Sequence, residues 1–283
     1  MSLSIQRGGK ALPNRVLYYG SPGSGKTTFG AFAPKPLFLL TPGETGLVTL
    51  YNYGLVPECD HINVDSWSDV LRNILEIARD TGDHKTLVID TVNGLESLCF
   101  KHVTGTVYNG ESKNFYDYGK GPESAVPEWM KLFPMLDSLR TSRNMAIVLL
   151  AHAGEKKIKT SSGSDYLKTV PLIHEKLRNG LIQWCDIILY ARRVLSTKKE
   201  GTTVKANTLG DLELLATEGG DHEAKNRVGL IDEMLIPDSN PASIFGTFAA
   251  AMKVARDAGK KRTLKPLPTA GAKPDHVAEP VVA

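Results

Sequence analysis

A glycine-rich segment near the start of the chain carries the strongest structural signal in the sequence. It occupies residues 20–27, reads GSPGSGKT and satisfies the pattern G-x-x-x-x-G-K-[ST] at every position. It follows the apolar run Arg15–Gly20 and precedes residues that suit a helix. Glycines in such a turn let successive backbone N–H groups point inward around a phosphate, because no Cβ stands in the way. The order of strand, glycine-rich loop and helix predicts a P-loop α/β domain.

The residue types in this loop match the chemistry of a bound nucleoside triphosphate. Lys26 would bring a positive charge to the β- and γ-phosphates, and the Thr27 hydroxyl would complete the shell of a Mg²⁺ ion. The helix that begins there adds the positive end of its dipole. The expected nucleotide-binding residues are Gly20, Ser21, Pro22, Gly23, Ser24, Gly25, Lys26, Thr27 and Thr28.

Further apolar runs, bounded by turn residues, predict buried strands. Continuous apolar runs are typical of parallel strands that are covered on both faces. Trp67–Arg79 shows helical spacing, and Trp129–Leu139 is similar, with Pro134 kinking the helix or marking a boundary. Strands that alternate with helices predict one α/β domain with a mostly parallel central sheet flanked by helices. The predicted strands are Pro36–Leu40, His61–Val64, Thr86–Asp90, Met145–Ala151 and Cys185–Ala191, followed by a β-like block at Leu212–Thr217 and Ala224–Gly229.

Composition limits the classes to which this chain can belong. Of its 283 residues, 41% are hydrophobic and 23% are charged, with a net charge of +3, which excludes a wholly disordered or fibrous chain. The apolar runs are too short to cross a bilayer, and residues 1–20 lack the apolar core of a signal peptide. We therefore expect a cytoplasmic protein with no membrane partner. Residues 1–257 are expected to form the domain, and residues 258–283, rich in Pro, Ala and Lys, a flexible tail.

A second motif ends the predicted strand Thr86–Asp90. The run LVID places the Asp90 carboxylate in the position of a Walker B acid, on the strand next to the loop. With Thr27, Asp90 forms the expected Mg²⁺ site. The sequence contains no N-K-x-D guanine-reading motif, and Asp90 does not begin a D-x-x-G switch, so ATP is expected rather than GTP. Because Thr91 and not Glu follows Asp90, the carboxylate that aligns the attacking water must come from elsewhere.

The segment 90–95, DTVNGL, resembles the Walker B strand and helix start of RecA-like ATPases. The pair Ala-His at 151–152 and the segment KNRVG at 225–229 extend the resemblance, which covers about residues 14–232. The chain most resembles the compact, core-only RecA-like ATPases of bacteriophages, some of which act as single-strand annealing recombinases. The fold that this implies is a RecA-like core, in the bacterial host cytoplasm if the chain is encoded by a phage.

The resemblance also implies roles for residues outside the loop. The catalytic glutamate of this family follows the strand after the P-loop helix, which indicates Glu44, although Pro42 departs from the usual D-T-E-G-like sequence. His152 corresponds to a polar sensor of the γ-phosphate. Lys225 and Arg227 correspond to residues that reach the nucleotide of the neighbouring subunit, where an arginine finger stabilises the transferring phosphoryl group. The resemblance therefore implies a homo-oligomer, either ring or filament.

RecA-like cores bind single-stranded DNA through two loops, one after the Walker B helix and one after the sensor strand. Polar insertions occur at both places in this sequence. Aromatic side chains interleaved with lysines suit base stacking and phosphate neutralisation, although the aromatic residues of the first insertion could instead pack on the core. The expected DNA contacts are Lys113, Phe115, Tyr116, Tyr118 and Lys120 in the first insertion and Lys156, Lys157, Lys159 and Lys168 in the second.

The leading hypothesis is an ATP- and Mg²⁺-dependent recombination ATPase that oligomerises on single-stranded DNA and promotes annealing or strand pairing. A single-strand-binding protein is a further candidate partner. One alternative is a nucleoside or nucleotide kinase, which needs an arginine-rich lid that Arg192 and Arg193 could imitate. Kinases and GTPases, however, usually place the two phosphate motifs on adjacent strands. The other alternative is a nucleotide-dependent interaction module of the helicase-loader type.

Overall fold

A computed structural model describes residues 11–159, 163–200, 203–237, 240 and 242–261. The described part of the chain alternates strands and helices, as the sequence predicts. Its strands are β1 (Arg15–Gly20), β2 (Pro36–Leu40), β3 (Asp60–Asn63), β4 (Thr86–Asp90), β5 (Ala146–Ile158), β6 (Tyr166–Pro171), β7 (Ile187–Glu200), β8 (Thr203–Leu215), β9 (Lys225–Asn226) and β10 (Glu233–Ile236). Its helices are α1 (Lys26–Ala31), α2 (Gly46–Asn52), α3 (Trp67–Arg79), α4 (Val92–Val107), α5 (Ser112–Tyr116), α6 (Lys120–Met130), α7 (Leu132–Ser142), α8 (Glu175–Trp184) and α9 (Ser243–Lys261).

One mostly parallel sheet forms the centre of the molecule. Its strands lie in the order β10-β8-β7-β1-β5-β4-β2-β3, with β6 paired to β5 and β9 paired to β7. The strands from β7 to β3 run parallel, whereas β8 pairs antiparallel with β7 and β10 pairs antiparallel with β8. Alternate β1 residues face opposite layers: Leu17 and Tyr19 pack with α3, α4 and α6–α8, and Val16 and Tyr18 pack with α1 and α9. The predicted fold class is confirmed.

The strand order corrects one expectation. Strand β5 lies between β1, which leads into the glycine-rich loop, and β4, which ends at Asp90. Asp90 therefore lies on β4, two positions from β1 in the sheet, and not on the strand that pairs with β1. This separation differs from the adjacent placement that GTPases and small-molecule kinases usually show.

The predicted helix Trp129–Leu139 is divided between two helices in the structure. Helix α6 ends at Met130 and α7 begins at Leu132, so Pro134 lies in the first turn of α7. Backbone N–H groups in a first helical turn have no intrahelical acceptor, and a proline there loses no hydrogen bond. Helix α3 begins as predicted, with Ser66 accepting a hydrogen bond from the Asp69 N–H at 3.1 Å.

Several elements are longer than the sequence indicates, among them β7 and α9. Strand β7 continues past Ala191 to Glu200 and forms a long antiparallel hairpin with β8. Helix α9 continues to Lys261, four residues beyond the expected domain boundary at residue 257; residues 262–283 of the expected tail lie outside the described residues. No helix in the described ranges is long and apolar enough to span a membrane.

Candidate nucleotide-binding site

The glycine-rich loop connects the end of β1 to α1. Gly23 and Gly25 have φ angles of 78° and 75°, in the left-handed region that residues with a Cβ rarely adopt. A Cβ on Gly20 would lie 2.4 Å from the Ser24 Oγ and 2.5 Å from the Ala191 carbonyl oxygen. Among the described atoms the buried Ser24 Oγ has no hydrogen-bond partner. The loop is thus a tight turn that contains a buried hydroxyl without a described partner. Both features fit a bound phosphate.

Lys26 closes the loop on itself. Its Nζ donates hydrogen bonds to the carbonyl oxygens of Gly20 at 3.1 Å and Ser21 at 3.0 Å. The residue is only 9% exposed, and this burial lowers the pKa of its ammonium group, while the charges of Asp90 and Glu44 oppose the shift. A buried cation is stabilised more by the charged oxygens of a phosphate than by neutral carbonyl oxygens. We therefore expect the Lys26 ammonium group to exchange these carbonyl partners for phosphate oxygens.

Thr27 and Asp90 lie together as the motif predicts. The Thr27 Oγ1 donates a hydrogen bond to the Asp90 Oδ2 at 2.8 Å. Asp90 is 2% exposed, and burial raises the pKa of its carboxyl group to about 6, although the Thr27 hydrogen bond opposes that shift. One hydroxyl and one carboxylate oxygen suit Mg²⁺, which keeps several waters and takes its other ligands from phosphates. The residues present therefore fit the expected metal.

Sequence reasoning missed the residue that aligns the ends of β2 and β4. The Thr41 Oγ1 donates to the Asp90 carbonyl oxygen at 3.2 Å and accepts from the Thr91 N–H at 3.0 Å. Opposite it, a Cβ on Gly94 would lie 2.0 Å from the Thr41 Oγ1, so the glycine of the DTVNGL segment is required there. The only sequence signal is that Thr41 directly follows a predicted strand.

The structure brings Glu44 and His152 to the same edge of the sheet as Asp90. The Thr91 Oγ1 donates a hydrogen bond to the Glu44 Oε1 at 3.1 Å, and the His152 Nε2 lies 3.9 Å from the same oxygen. Burial and the charge of Lys26 lower the pKa of His152, against the opposing effect of Glu44. Burial and the Lys26 charge thus favour the neutral form of the imidazole.

Asn93 positions the backbone of His152, which sequence reasoning also missed. The His152 N–H donates to the Asn93 Oδ1 at 2.9 Å, while the Asn93 Nδ2 donates to the Leu172 carbonyl oxygen at the end of the β5–β6 hairpin. One side chain on α4 thus ties the sensor position to the hairpin that follows it.

A cavity of about 540 Å³ opens beside the loop. Its polar lining comes from the loop and α1, from Thr45 and Thr49 at α2, from Asn240 and from Arg193 of β7. Its apolar lining comes mainly from β8, β10, Pro237 and α9. No Asp or Glu is found among its described lining residues. The apolar wall, which the sequence did not predict, consists of Leu212, Ile236, Pro237 and Ile244, with Leu50 of α2.

Comparison with known proteins shows the family of this chain. A family model described as an AAA domain matches residues 12–228, from β1 through β9. The chain belongs to this family. No match was found among curated proteins. Among solved structures, the chain is similar to the crystal structure of the RadB recombinase, with a TM-score of 0.43 and 10% sequence identity over 72% of this chain and 80% of that chain.

Lys225 and Arg227 of this AAA domain lie away from its own glycine-rich loop. Lys225 pairs with Ile188 near the start of β7, whereas the loop begins beside Ala191. The Lys225 Nζ donates to carbonyl oxygens at the end of α8, among them Gln183 at 3.0 Å, and the Arg227 Nη2 donates to the same oxygen at 3.2 Å. Within one chain both cations therefore bind the carboxyl end of α8.

The first predicted DNA-binding loop of the AAA domain is helical, which corrects the prediction. Helix α5, a short 3-10 turn and the start of α6 occupy residues 112–120. Phe115 is fully buried and makes a tilted ring contact with Phe100 and an edge-to-face contact with Tyr108, so it cannot stack on a DNA base. Tyr116 is 65% exposed, Lys113 and Lys120 are exposed, and the side chain of Tyr118 lies outside the described residues.

The second predicted loop is a β-hairpin made by β5 and β6. Lys156 lies directly opposite Lys168 in the ladder, and each is held by an acid: Lys156 by Glu175 and Lys168 by Glu218. Nearer the tip, the Lys157 Nζ lies 2.8 Å from the Asp165 Oδ2, and Lys159 is exposed. The hairpin base is therefore fastened by ion pairs, and its exposed cations lie towards the tip.

Proposed function

We propose that this AAA domain is a Mg²⁺-dependent ATPase of the RecA-like type that acts as a homo-oligomer on single-stranded DNA in recombination, through annealing or strand pairing. The observation that supports the catalytic part is the position of Glu44. A carboxylate held by Thr91, beside Asp90 and near Lys26, supplies the acid that is missing after the Walker B residue.

The chemistry follows from the roles of these residues. Hydrolysis joins a water oxygen to the γ-phosphorus and breaks the phosphorus bond to the β–γ bridging oxygen, which leaves on ADP. Glu44 accepts a hydrogen bond from the water and orients it, and Lys26 stabilises the negative charge that moves onto the leaving group. When bound at Thr27 and Asp90, Mg²⁺ would supply further neutralisation of the phosphate charge.

The hairpin supports a link between DNA and the ATP site. His152 lies on β5, which continues directly into the hairpin. On the return strand, the Thr169 N–H donates to the Asp221 carbonyl oxygen at 2.7 Å, and the Glu223 N–H donates to the Thr169 carbonyl oxygen at 3.0 Å. Residues 221–223 lead into Lys225 and Arg227. A polymer bound at the hairpin would thus act on the site of its own chain and, through Arg227, on that of a neighbour.

The kinase alternative has less support. Strand β5 separates the two phosphate motifs, unlike the adjacent arrangement of small-molecule kinases. Arg192, which could have served in a lid, is held by Glu213 and Asp221. The loader alternative differs from the proposal in turnover, so an activity measurement separates the two.

The test is ATP hydrolysis with and without single-stranded DNA, with the oligomer size measured in parallel. We expect DNA to increase turnover, Lys26→Ala to abolish it, and Glu44→Gln to lower kcat by about 100-fold or more while fluorescent ATP still binds. Glu58→Gln, an exposed glutamate, is the matched control. Undiminished hydrolysis in Glu44→Gln would overturn its role, and nucleotide binding without turnover under both conditions would favour the loader.

A further inference from the structure

Arg193 extends from β7 into the nucleotide cavity. It lies two positions beyond Ala191, which pairs with Gly20 at the start of the loop. Its Nη2 donates a hydrogen bond to the Gly23 carbonyl oxygen at 3.3 Å, and its Nη1 donates to the Gly210 carbonyl oxygen. The same chain therefore brings a second cation to the loop that already holds Lys26.

An irregularity in the β7–β8 hairpin shapes this position. Arg193 pairs with Leu212, but Leu195 pairs with Thr208, so β8 takes four steps (212 to 208) where β7 takes two (193 to 195). Gly210 lies in this bulge with a φ of 89° and presents its carbonyl oxygen to the guanidinium. Bulges commonly re-aim a side chain beside a functional site, and this bulge holds the head group of Arg193 at the cavity.

The neighbouring arginine shows that this placement is specific. Successive strand residues point to opposite faces of a sheet. Arg192 accordingly binds the Glu213 carboxylate and, at 3.1 Å, the Asp221 Oδ2, and it does not line the cavity. Of the two arginines, Arg193 is the one that faces the loop.

Two cations contact the glycine-rich loop. Lys26 binds the carbonyl oxygens of Gly20 and Ser21 at the beginning of the loop, and Arg193 binds that of Gly23 in its middle. The described lining residues of the cavity include both cations and no carboxylate. A guanidinium is planar and presents several donors, so it can keep the Gly210 carbonyl oxygen while it binds a phosphate oxygen.

We infer that Arg193 binds the phosphate chain of the nucleotide, at the β-phosphate that the loop surrounds, from the same subunit that carries the loop. This inference rests on the proposed nucleotide site. Arg193 would exchange the Gly23 carbonyl oxygen for a phosphate oxygen, opposite Lys26. Its role differs from that expected of Arg227, because Arg193 acts within one chain and already in the ground state.

The test is the affinity for ADP and for a non-hydrolysable ATP analogue, measured by calorimetry. Because Arg193 contacts the β-phosphate, we expect Arg193→Gln to weaken both ligands about tenfold, a loss typical of one charge-assisted hydrogen bond. Arg193→Lys should restore part of that affinity, since it keeps the charge. Arg192→Gln makes the same chemical change on the other face and should bind as wild type does.

The outcomes separate this inference from the proposed function. Wild-type affinity in Arg193→Gln, or an equal loss in Arg192→Gln, overturns the role of Arg193 and leaves the ATP site in place. A wild-type protein that binds neither ligand overturns both. If the Gln variant fails to fold, Arg193→Lys decides the matter: a loss of about threefold supports the guanidinium contact, and unchanged affinity overturns it.

Discussion

At the scale of single residues, the nucleotide site is built from charges that the fold buries. Asp90 and Lys26 are 2% and 9% exposed, and burial shifts the pKa of each towards its neutral form. Their mutual attraction offsets only part of this desolvation. The loop is therefore poised to gain from phosphate and a metal ion, and less stable without them.

Asp90→Asn should raise the stability of the metal-free fold and abolish ATPase activity. The folded-state pKa of about 6 exceeds the ordinary aspartate value of 3.8, so above pH 6 the ionised carboxylate lowers the stability of the fold, by up to about 3 kcal/mol. Asn keeps an oxygen acceptor for Thr27 and removes the charge. We expect the metal-free variant to unfold at higher denaturant concentration at pH 7.5 in EDTA and to lack ATPase activity. Equal or lower stability would contradict this account.

At the scale of elements, the two segments expected to contact DNA behave differently. The first contains enough apolar residues to fold as helices, and Phe115 completes the core between α4 and α6. The second lacks a core of its own and forms a hairpin whose ladder satisfies the backbone. Since exposed cations lie near the hairpin tip, we expect the proposed DNA contact to be stronger there than at the first segment.

Lys157→Ala combined with Lys159→Ala should weaken single-stranded DNA binding and flatten its salt dependence. Removing one lysine–phosphate ion pair should reduce the slope of log K against log salt by about 0.7, so removing two should reduce it by about 1.4. Lys35 and Lys85 precede β2 and β4, at the opposite edge of the sheet, and alanine at both is the matched control. The measurement is a fluorescence anisotropy titration at several salt concentrations. An unchanged slope would mean that these two lysines do not contact DNA and that the DNA site lies elsewhere.

At the scale of the whole molecule, the predicted site residues lie at two different edges of the sheet. The glycine-rich loop, Asp90 and Glu44 lie at the carboxyl ends of the parallel strands, whereas Lys225 pairs near the start of β7. With a rise of about 3.3 Å per residue, the interval from Ile188 to Ala191 along β7 is about 10 Å. A finger at the second edge would serve the site of another subunit.

Mixing variants tests this arrangement. Lys26→Ala and Arg227→Ala should each be inactive alone, but mixed oligomers should regain part of the ATPase activity, because some sites combine an intact loop with an intact finger. Arg193→Gln mixed with Lys26→Ala is the matched control and should give no activity beyond the sum of the two variants measured alone, since both residues serve the same site from one chain. Failure of the first mixture to complement, with oligomer size unchanged, would contradict a finger in trans.

The amino edge of the sheet is held by Asp186. It accepts hydrogen bonds from the Arg15 Nε at 3.0 Å and Nη2 at 2.7 Å, and Arg140 lies 3.6 Å away. Burial acts to raise the pKa of Asp186, but the Arg15 hydrogen bonds and charge outweigh it and hold the pKa below its usual value. This ion pair joins the start of β1 to the residue before β7.

Asp186→Asn should lower the free energy of unfolding by about 2–4 kcal/mol at pH 7. Because the folded-state pKa is depressed, the stabilisation is complete above the unfolded value of 3.8 and is lost as the pH falls through the lower folded value. The difference between variant and wild type should therefore shrink below pH 3.8. Urea unfolding at pH 7 and pH 3 measures it, and a constant difference would contradict the assignment.

The loop, the apolar strands and the carboxylate at the end of β4 could all be predicted from local sequence. These features depend on neighbouring residues: glycine permits a tight turn, and a continuous apolar run requires cover on both faces. Gly23, Gly25, Lys26 and Thr27 could be identified without any knowledge of distant parts of the chain.

Contacts between residues far apart in the chain, by contrast, depend on the complete fold. Glu44 lies near Asp90 because β2 and β4 pair in one register, Arg193 reaches the loop because β8 bulges, and Phe115 is buried because α5 folds against α4. Register and strand order depend on packing summed over the whole core, and no local pattern encodes them.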